Sequence, residues 1–147
     1  MSRLNRLLLI LHLFVGLGAI FGGMTAILNP TEPLGISVDA LKNSPFDDYL
    51  IPGIILFTVV GLGNMISAVT LIFKSKYQGY ISSVFTWGVV IWIIVQIIML
   101  RGVHFLHVLY FSIGLAGAVL SARMMFEQEL FPTKLILQYY KKITKGM

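Results

Sequence analysis

The sequence predicts an all-α membrane protein: a four-helix transmembrane bundle with both termini in the cytoplasm and a C-terminal amphipathic helix at the interface. Three observations carry this expectation. Of 147 residues, 57% are hydrophobic and 12% are charged, whereas about a quarter of the residues in a soluble domain are charged, and the mean hydropathy is +0.88. Four apolar runs are each long enough to cross a hydrocarbon core of about 30 Å, which takes ~20 residues. Finally, nine of the eleven Lys and Arg residues flank these runs on one side, and short loops rich in Lys and Arg stay in the cytoplasm. Residues 1–147 read as a single domain with spans at about 4–28, 51–73, 78–100 and 103–125. The outer loop covers 29–50 and the cytoplasmic tail 126–147.

The first span runs from Leu4 to Leu28, and Arg3 and Arg6 place its start inside the cell. Its apolar run is too long for the core of a cleavable signal peptide, so no leader is expected. Asn29-Pro30 ends it, because proline cannot continue a helix and disfavours helical geometry just before itself. Gly18 and Gly22, four apart with Ala19 and Gly23 beside them, form a flat strip where another helix can approach closely.

The loop NPTEPLGISVDALKNSPFDDY holds four of the six acidic residues (Glu32, Asp39, Asp47, Asp48) against one lysine, Lys42, so it faces away from the cytoplasm. Ser37 followed by VDALK reads as a capped turn. Ser44-Pro45 with Asp47 and Asp48 reads as a second helix start, with serine as N-cap, proline in the first position and carboxylates in the first turn. Pro52 is expected to kink or restart that helix as it enters the second span.

The second span carries a small and polar stripe of Gly61, Gly63, Asn64, Ser67 and Ala68, expected to face protein, and ends at Lys74 and Lys76. The third, Gln78 to Leu100, is bulkier, with Trp87 and Trp92 read as lipid-facing or core aromatics. Arg101-Gly102 leaves room only for a tight turn, which makes spans three and four antiparallel neighbours. The fourth has His104 and His107 in its first turns and Gly114, Gly117, Ala118, Ser121 and Ala122 on a small-residue face. Beyond Pro132, the residues Leu135, Ile136, Tyr139, Tyr140 and Ile143 fall on one helical face, with Lys134, Gln138, Lys141 and Lys145 opposite. A basic amphipathic helix of this kind lies flat on the inner leaflet; a frayed tail is the alternative.

Polar groups inside spans are the default functional candidates, being costly in hydrocarbon. At about 1.5 Å per residue, His12 and Asn64 lie ~12 and ~13 Å from the inner ends of their helices, at similar levels. The pair reads either as an interhelical hydrogen bond, worth ~0.6 kcal/mol, or as part of a proton or ligand path. At the outer face, Gln96, Arg101, His104, His107, Asp47 and Asp48 form a candidate ligand cluster. Histidines at i and i+3 with a carboxylate have the donor set for zinc, while solvent, headgroups and helix capping account for the same residues without a ligand; no metal is expected.

The remaining classes are bounded by what is missing. With no cysteine, disulfides and thiol chemistry are excluded, and with them an enzyme of the vitamin K epoxide reductase type. No span contains Asp or Glu, against proton-coupled export of the small multidrug resistance kind. A bis-histidine haem needs paired histidines at one depth, whereas His12 lies near one face and His104 and His107 near the other.

The run SPFDDYLIPGIILFTVVGLGN (Ser44 to Asn64), with GGMTAILNP before it and LYFSIGLAG in the last span, resembles a group of small four-span integral membrane proteins of bacteria. The resemblance spans about Leu8 to Ala122; it implies the architecture and carries over no activity and no site. The expectation is therefore a multi-pass protein of the cell membrane, the bacterial inner or plasma membrane. It is read as a non-enzyme that acts by binding or assembly, the outer loop serving as a recognition surface. No cofactor is expected. The expected partners are membrane lipids and a second copy or another membrane protein, not nucleic acid. The alternative is a ligand-handling protein, a small transporter or a lipid-, quinone- or cofactor-binding subunit, working through the outer cluster.

Overall fold

A single apolar segment in hydrocarbon satisfies its own backbone groups only as a helix, and each of the four runs does so. The structure, a computed structural model, describes residues 2–127 and 133–146, where every regular element is helical. Helices α1 (Arg3–Leu28), α2 (Leu50–Ile72), α3 (Gln78–Leu100) and α4 (Phe105–Glu127) are long and apolar enough to cross a membrane. A fifth, α5 (Thr133–Lys145), follows. The spans lie within two residues of their expected bounds. Pro132, expected to open the last segment, lies outside the described residues.

Ser2 caps α1, its hydroxyl accepting from the Asn5 amide at 3.2 Å. The loop that follows makes two short 3-10 turns, Pro33–Gly35 and Val38–Leu41. Ser37 caps the second by accepting from the Asp39 amide at 3.2 Å. The first turn lies against α1 and the second against α3, with Leu41 fully buried. Tyr49 fastens the loop to itself: its amide donates to the Pro30 carbonyl at 2.9 Å and its hydroxyl to the Ser37 carbonyl at 3.0 Å. Partial burial there pushes the phenol above its ordinary value.

The helix expected to begin at Ser44 does not form. Ser44 does accept from the Phe46 amide at 3.2 Å, but residues 45–49 stay irregular and α2 begins at Leu50, whose amide donates to Asp48 Oδ1 at 3.0 Å. Pro52 explains both observations. Its ring would clash with the carbonyl one turn earlier, which stops the helix extending back through Asp48. At the third helical position its missing N–H has no intrahelical partner to lose, so α2 is not kinked there.

Farther along, α2 widens into a π-helical stretch, Leu56–Leu62. It closes with Lys74 in the left-handed region at φ 52° while the Ser75 amide donates back to the Thr70 carbonyl at 2.9 Å. Arg101, at φ 49°, closes α3 in the same conformation.

Each long helix packs against two others in the order α1, α2, α3, α4 and back to α1. Adjacent helices run antiparallel, so Arg3, Ile72, Gln78 and Glu127 share one end of the bundle, here the terminal face. The loop and the Arg101 turn lie at the other, the loop face. The helices meet through glycine. A Cβ on Gly23 would lie 2.7 Å from the Phe57 nitrogen, one on Gly61 3.1 Å from the Ile20 nitrogen, and one on Gly117 2.5 Å from Thr86 Cγ2. The strip on α1 that meets α2 is therefore Gly16, Ala19, Gly23 and Ala26, all buried. Of the expected pair, Gly18 instead faces the Tyr110 hydroxyl of α4 and Gly22 flanks Leu56. The contact follows a seven-residue repeat along the helix, so the four-residue spacing of Gly18 and Gly22 points beside it. On α2, all five stripe residues from Gly61 to Ala68 are buried.

Candidate functional site

The interior changes character along its length. Toward the loop face it is filled by Val15, Ala19, Val60, Val89, Trp92 and Ile93. Toward the terminal face, His12, Asn64, Ser67, Ser82, Thr86 and Ser121 are each wholly buried, so that every long helix contributes at least one polar side chain. On α3 these continue to the rim at a four-residue spacing, through Thr86 and Ser82 to Gln78, whose Oε1 lies 3.5 Å from Asn5 Nδ2. A smaller apolar group, Leu4, Leu8, Leu71 and Met124, closes the α1, α2 and α4 side of the same end.

Most of these polar groups bond within their own helix. Ser67 donates to the Gly63 carbonyl at 3.0 Å, Thr86 to that of Ser82 at 2.8 Å, and Ser121 to that of Ala118 at 3.0 Å. The hydroxyl hydrogens are thereby committed, and what the side chains retain is acceptor capacity. His12 and Asn64, from α1 and α2, meet with Nδ1 and Oδ1 2.8 Å apart. The Asn64 amide nitrogen is used on the Val60 carbonyl at 2.6 Å, inside the π-helical stretch. Its Oδ1 is therefore the atom facing the imidazole, and the hydrogen of that bond belongs to His12 Nδ1. His12 Nε2 is left as a bare lone pair, buried and without a hydrogen-bond partner among the described residues; Ser82 Oγ and Trp92 Nε1 are the other buried atoms in this position.

The candidate residues at the loop face are not gathered in this way. Asp47 and Arg101 are exposed, Asp48 is committed to the Leu50 amide, and Gln96 is half-buried on α3. Among the described residues, the ion pair present is Arg123 with Glu127, 3.3 Å apart and exposed at the terminal face. His104 lies just before α4 and not within it. The His104 amide donates to His107 Nδ1 at 3.2 Å, and the His107 amide returns to the His104 carbonyl at 3.0 Å. His107 thus acts as the third-position residue of a capping box, satisfying the N-cap amide. Its rings stand 5.5 Å from those of His104, tilted by 46°, and among the described residues no three His, Asp or Glu side chains come together as a metal site. The apolar side of His107 lines an open groove of about 360 Å³ with Ile94, Ile98, Val103 and Phe111. Trp92 is buried in the core, while Trp87 is half exposed on the outside.

The sequence reading missed Gln78, Ser82 and Thr86. Their signal was present as a four-residue spacing of polar side chains through the first half of the third span. The π-helical stretch has no comparable signal.

No protein-family model, no curated protein and no solved structure matches this chain.

Proposed function

We propose that this is a multi-pass protein of the bacterial cell membrane, with both termini cytoplasmic, that acts by binding and assembly and not by catalysis. Charge supports the sidedness: the terminal face carries Arg3, Arg6, Lys74, Lys76 and Arg123 and the loop face Lys42 and Arg101, with α5 adding Lys141, Lys142 and Lys145. The resemblance of the loop and its flanks to small four-span bacterial proteins agrees with the location.

One observation carries the mode of action. The helices α1 and α2 interlock at contacts too tight for a methyl group at Gly16, Gly23, Gly53 and Gly61, so the surfaces that recognise a partner lie outside the bundle. The loop, an acidic cap fixed by Tyr49 and Leu41, is the recognition surface away from the cytoplasm. The other surface is α5, whose Leu135, Ile136, Tyr139, Tyr140 and Ile143 are all exposed on one side of a helix with lysines on the other. That pattern suits the headgroup layer of an anionic leaflet.

Native mass spectrometry of the intact protein in mild detergent tests the proposal. The expected result is a discrete oligomer or hetero-complex retaining anionic lipid, and the triple substitution Lys141→Glu, Lys142→Glu, Lys145→Glu lowers lipid retention with subunit number unchanged. A monomer carrying a stoichiometric chromophore or metal that His107→Ala removes would replace this proposal with the ligand-handling one.

A further inference from the structure

We infer that His12 is a proton-binding site within the membrane, reached from the terminal face along the polar half of the bundle and sealed from the loop face. The inference stands on the interior of the bundle and is independent of the surfaces discussed above.

Three observations converge on it. The acceptor is defined, since Asn64 holds the ring in the Nδ1–H form and leaves the Nε2 lone pair wholly buried with no partner among the described residues. The approach carries polar groups from every long helix, strung along α3 to the rim, beside the apolar Leu4, Leu8, Leu71 and Met124 of the same end. At about 1.5 Å per residue, Gln78 sits at the rim, Ser82 ~6 Å in, Ser67 and Ser121 ~8–9 Å, and Thr86, Asn64 and His12 ~12–14 Å. Because Ser67, Thr86 and Ser121 have spent their hydrogens on backbone carbonyls, their oxygens face a guest as acceptors, which favours a positively charged one such as hydronium. The far side is closed, because beyond His12 the core is Val15, Val60, Val89, Trp92 and Ile93.

The protonation step balances simply. A hydronium ion gives its proton to Nε2 and leaves as water, and the ring becomes an imidazolium of charge +1 that still donates through Nδ1 to Asn64. Among the described residues, no carboxylate stands beside it. The titratable side chains of the surrounding helices are Arg3 and Arg6 at the start of α1, none within α2, Tyr80 near the start of α3, and His107, Tyr110, Arg123 and Glu127 on α4, the last two paired with each other at the terminal face. Lys74 and Lys76 follow α2 at that face. The π-helical stretch places the Val60 carbonyl that orients Asn64, in keeping with the frequent occurrence of such turns at functional sites.

Nitrogen-15 NMR of the histidine rings in the intact chain, reconstituted in bilayers, tests this, with His12→Gln to assign the signal and a pH-sensitive dye to report acidification. The expected result is a neutral Nδ1–H ring near neutral pH that becomes doubly protonated, reversibly, on acidification. In vesicles of uniform orientation, only acidification on the terminal side produces the change. Ser82→Val with Thr86→Val slows deuterium exchange at the His12 ring by about tenfold or more, by removing polar groups from the approach, while the His12–Asn64 coupling persists. Should that pair fail to fold, Ser121→Ala carries the same comparison. A His12 ring that stays neutral when the dye reports acidification, a response to acid on the loop side, or exchange indifferent to these substitutions would overturn the inference.

Discussion

Toward the loop face the four helices meet through Val15, Ala19, Val60, Val89, Trp92 and Ile93, whereas toward the terminal face they meet through His12, Asn64, Ser67, Ser82, Thr86 and Ser121. Both halves are drawn together by glycine, Gly23 and Gly61 in the first and Gly63 at the edge of the second. The contrast teaches that closeness and apolarity are separable in lipid. Lipid tails are as apolar as leucine, so burying valine between helices gains little over leaving it in the bilayer; association comes from close packing and hydrogen bonds. A buried hydroxyl is therefore tolerable provided it bonds a carbonyl of its own helix, as Ser67, Thr86 and Ser121 do. The halves differ in what they can receive more than in how firmly they hold.

The widest break in this comparison comes from adding a methyl group where backbones touch. Gly23→Ala in the loop half and Gly117→Ala at the border of the terminal half each lower stability by about 1–3 kcal/mol, the usual effect of overpacking, measured by unfolding in mixed micelles with circular dichroism. Gly88→Ala, where a Cβ meets nothing within 4 Å, stays within about 0.5 kcal/mol of the parent. A smaller effect distinguishes the polar half. A double-mutant cycle of His12→Leu and Asn64→Leu gives a coupling of about 0.6 kcal/mol, the average for hydrogen bonds between membrane helices, and Val15→Leu with Val60→Leu in the apolar half lacks that hydrogen-bond coupling. The smallest effect sharpens the contrast further. Thr86→Val and Val89→Thr, which remove a hydroxyl from one half and add one to the other, each shift stability by less than about 1 kcal/mol, since each hydroxyl involved bonds its own backbone. Equal stabilities with unequal deuterium exchange at His12 then mark the division as one of access.

Much of this was legible in the chain. Span boundaries follow from composition alone, and the levels of His12 and Asn64 follow from counting residues inward from the flanking charges. The stripe from Gly61 to Ala68 was readable because its small and polar residues repeat at three and four. The strip on α1 was not, because α1 carries four glycines and spacing cannot say which side of the helix meets α2; the packing geometry settles that Gly16 and Gly23 do. Ser44 and Pro45 carry a genuine start signal that Pro52 overrides from seven residues away, a conflict between two local rules that only the folded backbone resolves. At the other end of the molecule, His104 and His107 read as candidate ligands or as partners of solvent, backbone and headgroups, and the folded chain shows a backbone role for them at the start of α4.

Pro52 has one further effect. By fixing where α2 begins, it gives that helix 23 residues, the same number as α3 and α4, and a regular α-helix of that number is about 35 Å long at 1.5 Å per residue. Three helices of that length are enough to cross a hydrocarbon layer of about 30 Å, and a thinner layer is met by tilting, kinking or local thickening of the bilayer, so the position of a single ring helps to set which membranes the bundle matches.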